Sequence, residues 1–145
     1  MRNETTSFLF VDDDAVSIAK FKRFMTEAGI NNPLFTASDG VQALEILRGQ
    51  GGHEKLQQPY LVILDLSMPR MDGFEFLDVV RADPDLKDII IYMMTTSENQ
   101  ADIESALERG ADGYFPKDQA KVGFQQVTLA GKALSDPDGV QHVSL

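Results

Sequence analysis

Asp65 closes an apolar run, Tyr60-Leu61-Val62-Ile63-Leu64, and opens the segment Leu66-Ser67-Met68-Pro69-Arg70-Met71-Asp72-Gly73. A carboxylate there sits at the carboxyl end of a buried strand, the rim at which open α/β sheets bind ligands. Three further runs end in reactive groups. Phe8-Leu9-Phe10-Val11 runs into Asp12-Asp13-Asp14, Ile89-Ile90-Ile91-Tyr92-Met93-Met94 into Thr95-Thr96-Ser97, and Tyr114-Phe115 through Pro116 into Lys117. Carboxylates gathered on one rim repel one another and raise each other's pKa unless a cation or a proton intervenes. A divalent cation relieves them: Mg2+ takes hard oxygen ligands, and one or two carboxylates plus a carbonyl suffice because it keeps several waters. A lysine, a point charge on a flexible stem, suits an anion such as phosphate.

The elements that carry these residues follow from periodicity and stop signals. Residues 8–11 form β1, and Asp14 caps the helix after it. In that helix, α1, Ile18, Phe21, Met25 and Ala28 recur at helical spacing, and Gly29 ends it. Residues 34–37 form β2, Asp39-Gly40 a turn, and Val41, Leu44 and Leu47 line α2, which dissolves at Gly49-Gln50-Gly51-Gly52. The third strand, β3, ends at Asp65. Residues 73–82 form α3, buried through Phe76, Leu77 and Val80 and stopped at Asp83-Pro84, since proline disfavours helical geometry in its predecessor. The fourth strand, β4, ends at Met94. Ile103, Ala106 and Leu107 mark α4, Gly110 closes it, residues 112–115 form β5 and residues 119–134 form α5.

Five βα units on short links imply an α/β fold, a parallel sheet with helices on both faces, because crossovers are right-handed. The expected architecture is a flavodoxin-like (βα)5 three-layer sandwich with strand order 2-1-3-4-5. That order makes β1 and β3 neighbours and gathers Asp12, Asp13 and Asp65. The domain spans residues 7–134, with tails at 1–6 and 135–145 and its longest loop at 49–59.

A chain of 145 residues is about one domain long. No window approaches roughly 18 consecutive apolar residues, and the first seven residues are too polar to open a secretory signal. A soluble, cytoplasmic protein is expected, without a membrane partner. Cysteine is absent, which excludes disulfides, thiolate metal sites and cysteine nucleophiles. The net charge of -10 argues against nucleic acid, whose phosphates are bound by clustered Lys and Arg. His53, in a glycine-rich loop, and His142, in the tail, read as surface residues rather than metal ligands or phosphohistidines.

Acid cluster, lone acid, hydroxyl and lysine, in that order after successive strands, resemble the receiver domain of two-component response regulators. The resemblance covers residues 7–134. It implies that Asp65 accepts a phosphoryl group with Mg2+ as cofactor, that Asp13, Asp65 and the Ser67 carbonyl ligate the metal directly, and that Asp12 holds a metal-bound water. It further implies that Lys117 and the Thr95 hydroxyl neutralise phosphoryl oxygens. Thr95 and Tyr114 would form the switch, the ring moving inward as the threonine is drawn to phosphate. By the same resemblance the protein is a stand-alone response regulator, with a sensor histidine kinase or a histidine phosphotransfer protein as donor. It would signal through altered contacts with a downstream protein target or a homodimer formed through the α4-β5-α5 face. Its only catalysis would be its own phosphorylation and dephosphorylation, so it is not expected to be an enzyme in the ordinary sense. The loop at 49–59 and the segment Arg81-Ala82-Asp83-Pro84-Asp85-Leu86 look like receivers paired with phytochrome-type kinases.

The chain departs from the family pattern in two places. Receivers usually show Lys-Pro with a cis bond, whereas here Pro116 precedes Lys117 and Asp118 follows it. A trans Lys117–Asp118 peptide is expected, because a non-proline cis bond costs about 2.5–4 kcal/mol. The last helix carries Gly123 and Gly131, each costing about 1 kcal/mol against alanine. Close packing against a neighbour or a partner would compensate, and they are expected to let a second copy or a partner helix approach closely.

An enzyme reading competes. The stretch Phe8-Leu9-Phe10-Val11-Asp12-Asp13-Asp14-Ala15-Val16 also fits the Asp-x-Asp-x-Val opening of haloacid-dehalogenase-type phosphohydrolases, with Asp12 as nucleophile and Asp14 as acid/base. That family needs a further acidic pair after another strand, and only Asp118, Asp136 and Asp138 remain, in polar sequence. It also leaves residues 65–73 unexplained. A pseudo-receiver scaffold finds no support, since every acid, hydroxyl and lysine is present. A nucleotide-binding reading fails for want of a Gly-x-x-x-x-Gly-Lys loop after β1.

Overall fold

The computed structural model describes residues 6–66, 68, 70–96 and 100–135. Ser67, His142, residues 1–5 and residues 136–145 lie outside the described residues. In chain order the elements are β1 (Ser7–Val11), α1 (Ala15–Glu27), β2 (Leu34–Ala37), α2 (Gly40–Arg48), β3 (Tyr60–Asp65), α3 (Gly73–Ala82), β4 (Ile90–Thr95), α4 (Gln100–Glu108) and β5 (Gly113–Pro116). A 3-10 turn at Lys117–Gln119 then leads into α5 (Ala120–Ser135). All strand pairs are parallel and the order is β2-β1-β3-β4-β5, that of the expected flavodoxin-like architecture.

Side-chain alternation on the inner strands separates two cores. Leu9, Val11, Val62, Leu64, Ile91 and Met93 point to one face, where Leu44, Leu47, Phe76, Leu77 and Val80 of α2 and α3 cover them. Phe8, Phe10, Leu61, Ile63 and Phe115 point to the other, under Phe21, Met25, Phe124 and Val127 of α1 and α5. Both faces being covered, every residue of the central strand β3 is buried, which is why it reads as a continuous apolar run rather than an alternating one. Phe124 meets Phe21 and Phe115 edge-on, with centroids 4.7 and 5.7 Å away. Such pairs add about 0.5–1.5 kcal/mol each beyond buried area.

Helix ends follow their local chemistry. Asp14, Asp39 and Asp72 each accept an amide hydrogen bond at the start of α1, α2 and α3, and Asp72 forms a reciprocal capping box with Glu75. Gly49 ends α2 in the left-handed conformation. At the opposite end of the sheet from the acidic rim, Arg81 donates to the carbonyls of Gly110, Lys87 and Ile89 and to Asp112, tying α3 to the loops that lead into β4 and β5.

Three local readings are corrected. β4 runs one residue further than expected and includes Thr95, while β5 is displaced to include Pro116. Proline is tolerated there because β5 is an edge strand, with a neighbour on one side only. Gly123 and Gly131 do not open α5 to a partner. A Cβ at Gly123 would overlap the Phe115 ring, and one at Gly131 would lie 2.9 Å from Phe8 Cε1, so both glycines let α5 sit closely on its own sheet. Among the described residues Gln58–Pro59 is the cis peptide, and Lys117–Asp118 is trans.

Candidate functional site

The sheet register assembles the rim. Val11 lies opposite Leu64, so Asp12 and Asp65, each one residue further on, emerge side by side from β1 and β3. Asp65 lies opposite Met94 and Thr95 opposite Pro116, which brings the ends of β4 and β5 to the same edge. Carboxylate oxygens of Asp12, Asp13 and Asp65 all fall within 4.8 Å of one another. Asp12 and Asp65 are buried and Asp13 is exposed, so the cluster has two deep acids and one facing outward.

Lys117 reaches back into this cluster from the turn after β5. Its Nζ stands 3.2 Å from Asp12 Oδ2 and 3.7 Å from Asp65 Oδ2, with the side chain only 19% exposed. Burial disfavours its charge, but Asp65 and then Asp12 outweigh that penalty and hold its pKa above the ordinary lysine value.

One atom is left badly served. Asp12 Oδ1 accepts the Asp14 amide at 2.9 Å, whereas Oδ2 is fully buried and makes no hydrogen bond of good geometry, its neighbour being the Lys117 ammonium as an ion pair. The ammonium offsets only part of the desolvation penalty of an oxygen in that position. Three carboxylates against one ammonium leave the cluster anionic, with Asp13 marking its open side. A hard divalent cation with oxygen ligands is the group these residues fit.

The remaining residues singled out from the sequence take distinct positions. Thr95 is buried at the end of β4. Tyr114, on β5, points outward and is 37% exposed, with a cavity of about 10 Å3 behind it between Leu66, Met93, Thr95, Asp102, Ile103 and Ala106. Ser67 lies outside the described residues. Asp14 belongs to the helix rather than to the site: it accepts from the Val16 amide at 2.9 Å and the Ser17 hydroxyl at 3.1 Å. Those bonds, the Val16 amide first, hold its carboxyl below the usual range.

Sequence reasoning missed one pair beside the site. Arg70, on the loop that leaves Asp65, grips the buried Asp39 carboxylate at the start of α2, 31 residues away in the chain. Asp39-Gly40 signalled only a turn, and spacing alone offers no hint of a partner so distant in sequence.

The comparisons with known proteins agree with this geometry. The family model described as Response regulator receiver domain matches residues 8–127. Response regulator Rcp1 of Synechocystis sp. is 31% identical over 115 residues, covering 79% of this chain and 78% of that protein. The solved structure of Rcp1 in its Mn(2+)-bound form superposes with a TM-score of 0.75 at 29% identity, over 90% of this chain and 95% of that one. A probable chemotaxis protein CheY of Rhizobium etli is 32% identical over 114 residues, 79% of this chain and 82% of that protein. The phosphorylated cyanobacterial phytochrome response regulator RcpA gives a TM-score of 0.78 at 26% identity, over 92% of this chain and 96% of that one.

Proposed function

The chain belongs to the response regulator receiver domain family, and we propose that Asp65 is the residue that takes the phosphoryl group, with Mg2+ held directly by Asp13, Asp65 and the Ser67 carbonyl and by Asp12 through a metal-bound water. The observation that carries this reading is the meeting of Lys117 Nζ with Asp12 and Asp65 at 3.2 and 3.7 Å, beside an acid cluster with one poorly satisfied oxygen. When bound, Mg2+ supplies charge neutralisation for the phosphoryl oxygens and an in-line arrangement of donor and acceptor.

The chain's own residues do the rest. An Asp65 oxygen forms a bond to phosphorus as the phosphorus–nitrogen bond of a donor phosphohistidine breaks. The imidazole leaves with that electron pair and takes up a proton. Lys117, already charged and desolvated beside Asp65, meets one oxygen of the transferred group, and the Thr95 hydroxyl meets another. Movement of Thr95 toward that oxygen vacates space beside the cavity behind Tyr114 and favours the inward ring, a population shift as large as the difference in contacts allows.

The donor in this reading is a sensor histidine kinase or a histidine phosphotransfer protein, of phytochrome type given the likeness to RcpA. The domain spans residues 7–134 and acts in the cytoplasm. No helix among the described residues is long and apolar enough to cross a membrane. Output runs through α4, β5 and α5, where Leu107, Tyr114, Val122 and Leu129 are exposed apolar groups available to a target or a second copy. Besides taking the phosphoryl group, the domain hydrolyses its own aspartyl phosphate. The dehalogenase-type alternative loses ground because Asp14, its acid/base, is committed to capping α1.

Acetyl phosphate or a phosphorylated kinase, with Mg2+, should place a base-labile label on Asp65, and Asp65→Asn should abolish it. Label retained in that variant would move the acceptor to Asp12 and overturn the assignment.

A further inference from the structure

Among the described residues between Asp65 and α3, Leu66 is held near the sheet, and Arg70 and Met71 are held further out. Near the sheet, the Gly73 amide donates to the Leu66 carbonyl at 2.9 Å, and a Cβ on Gly73 would stand 2.9 Å from the Asp65 carbonyl oxygen. Further out, Arg70 donates to Asp39 through Nε at 2.7 Å and Nη2 at 3.1 Å. Next to this pair the Gly40 amide donates to the Met71 carbonyl at 3.2 Å, and a Cβ on Gly40 would meet Met71 Cγ at 2.8 Å. The β2–α2 turn therefore clamps residues 70 and 71, which connect to Asp65 through Asp72 and the Gly73–Leu66 hydrogen bond.

Arg70 adopts this position against its own backbone preference. Among the described residues it is the non-glycine residue at positive φ, +61°. That conformation costs an L-residue more than an ordinary exposed ion pair returns. Such a conformation persists where the surroundings over-determine it, and those places cluster at functional sites. Here the surroundings are specific: Arg70 is 58% exposed, but its partner carboxylate is only 5% exposed and is gripped by both arms of the guanidinium fork. The α2 cap does not require the arginine, since Asp39 caps by accepting the Gln42 amide at 2.9 Å. Burial opposes the Asp39 charge, but Arg70 and that amide prevail and keep the carboxyl below its usual range.

We propose that Asp39 and Arg70 are positioning residues for the phosphoryl-accepting site. Their bidentate pair fixes the loop that leaves Asp65 and so sets the geometry in which the acid cluster binds its cation and Asp65 accepts phosphate. The proposal rests on Asp65 being the Mg2+-dependent acceptor, and its test separates the two.

The wild-type chain, Arg70→Gly, Arg70→Lys, Asp39→Asn and the Arg70→Gly/Asp39→Asn double variant are compared in three measurements. These are the Mg2+ dissociation constant by calorimetry without a phosphodonor, the initial rate of Asp65 labelling by acetyl phosphate, and urea unfolding. Glycine is at ease at positive φ and asparagine caps as well as aspartate, so both single variants keep their fold. Each should nevertheless weaken Mg2+ about ten-fold, the lower end of what misorienting a metal-binding group costs. Labelling should slow by a similar factor. Arg70→Lys, which keeps the charge and loses the fork, should fall between them and wild type. The double variant should be no worse than either single one, since both remove one interaction.

Wild-type Mg2+ affinity and labelling in both single variants would overturn the proposal and leave the Asp65 assignment standing. So would losses that add in the double variant or that track unfolding free energy, either of which marks the pair as merely structural. A wild-type chain that neither binds Mg2+ nor takes label on Asp65 would overturn the assignment, and the positioning role with it.

Discussion

Lys117→Met should destabilise the protein in a way that Mg2+ repairs. Without a divalent cation, the Lys117 ammonium is the positive group 3.2 Å from Asp12 and 3.7 Å from Asp65. Deleting one partner of a buried pair costs about 3–5 kcal/mol because the other charge stays behind in a poor solvent. With the lysine 19% exposed, water screens part of the interaction, and the expected loss is about 2–3 kcal/mol. Domains of this kind have about 5–15 kcal/mol in total, so the shift in a urea midpoint is large. The raised Lys117 pKa fixes the pH window: its contribution is complete below the ordinary lysine value, about 10.4, and disappears only as pH rises through the higher folded value. The deficit of the variant should thus be constant across neutral pH and close only in alkali. Mg2+ serves the same carboxylates, and removing the competing ammonium should tighten its binding. Mg2+ stabilises both proteins, so the gap narrows only by the difference in affinity, and about thirty-fold tighter binding by the variant closes about 2 kcal/mol of it. Urea unfolding followed by circular dichroism, with and without saturating Mg2+, measures both quantities. An equal deficit in the two conditions, or weaker Mg2+ binding by the variant, would show that Lys117 and the cation do not share these carboxylates.

Gly123→Ala should destabilise despite the better helix propensity of alanine, because the new Cβ must displace the buried Phe115 ring. Overpacking of about 1–3 kcal/mol against about 1 kcal/mol of propensity leaves a net loss of about 1 kcal/mol in chemical denaturation, with self-association unchanged. A more stable variant, or one whose oligomeric state shifts, would return that glycine to an interface. The lowered Asp39 pKa supports the fold above the unfolded carboxylate value and ceases to do so as pH falls through the folded one. Acid unfolding of Asp39→Asn between neutrality and pH values below about 4 should accordingly be shallower than that of wild type. Parallel curves would show that Arg70 and the Gln42 amide do not hold that charge.

Strand and helix types were legible in the chain because their causes are local. Apolar runs bounded by Gly, Pro and Asp specify β1, β3 and β4, while caps such as Asp14 and stops such as Gly49 act within one turn of their own residues. The positions of Asp12, Asp65, Thr95 and Lys117 at strand ends followed from the same local signals, and alternation of elements implied a parallel sheet with right-handed crossovers, whereas the order 2-1-3-4-5 came with the flavodoxin-like architecture, since more than one doubly wound order obeys that rule. Other features depend on which surfaces meet, which spacing does not encode. Whether Gly123 and Gly131 face a partner or their own sheet is set by the rotation of α5 on Phe115 and Phe8. Pro116 joins β5 because that strand lies at the sheet edge. Arg70 finds Asp39 only after β1, β2 and β3 have stacked side by side, carrying the two loops into contact across 31 residues of chain. Local periodicity determined where the reactive groups stand along the sequence. The tertiary structure decided which of them share one electrostatic environment, because charges and ring edges act through space rather than along the backbone.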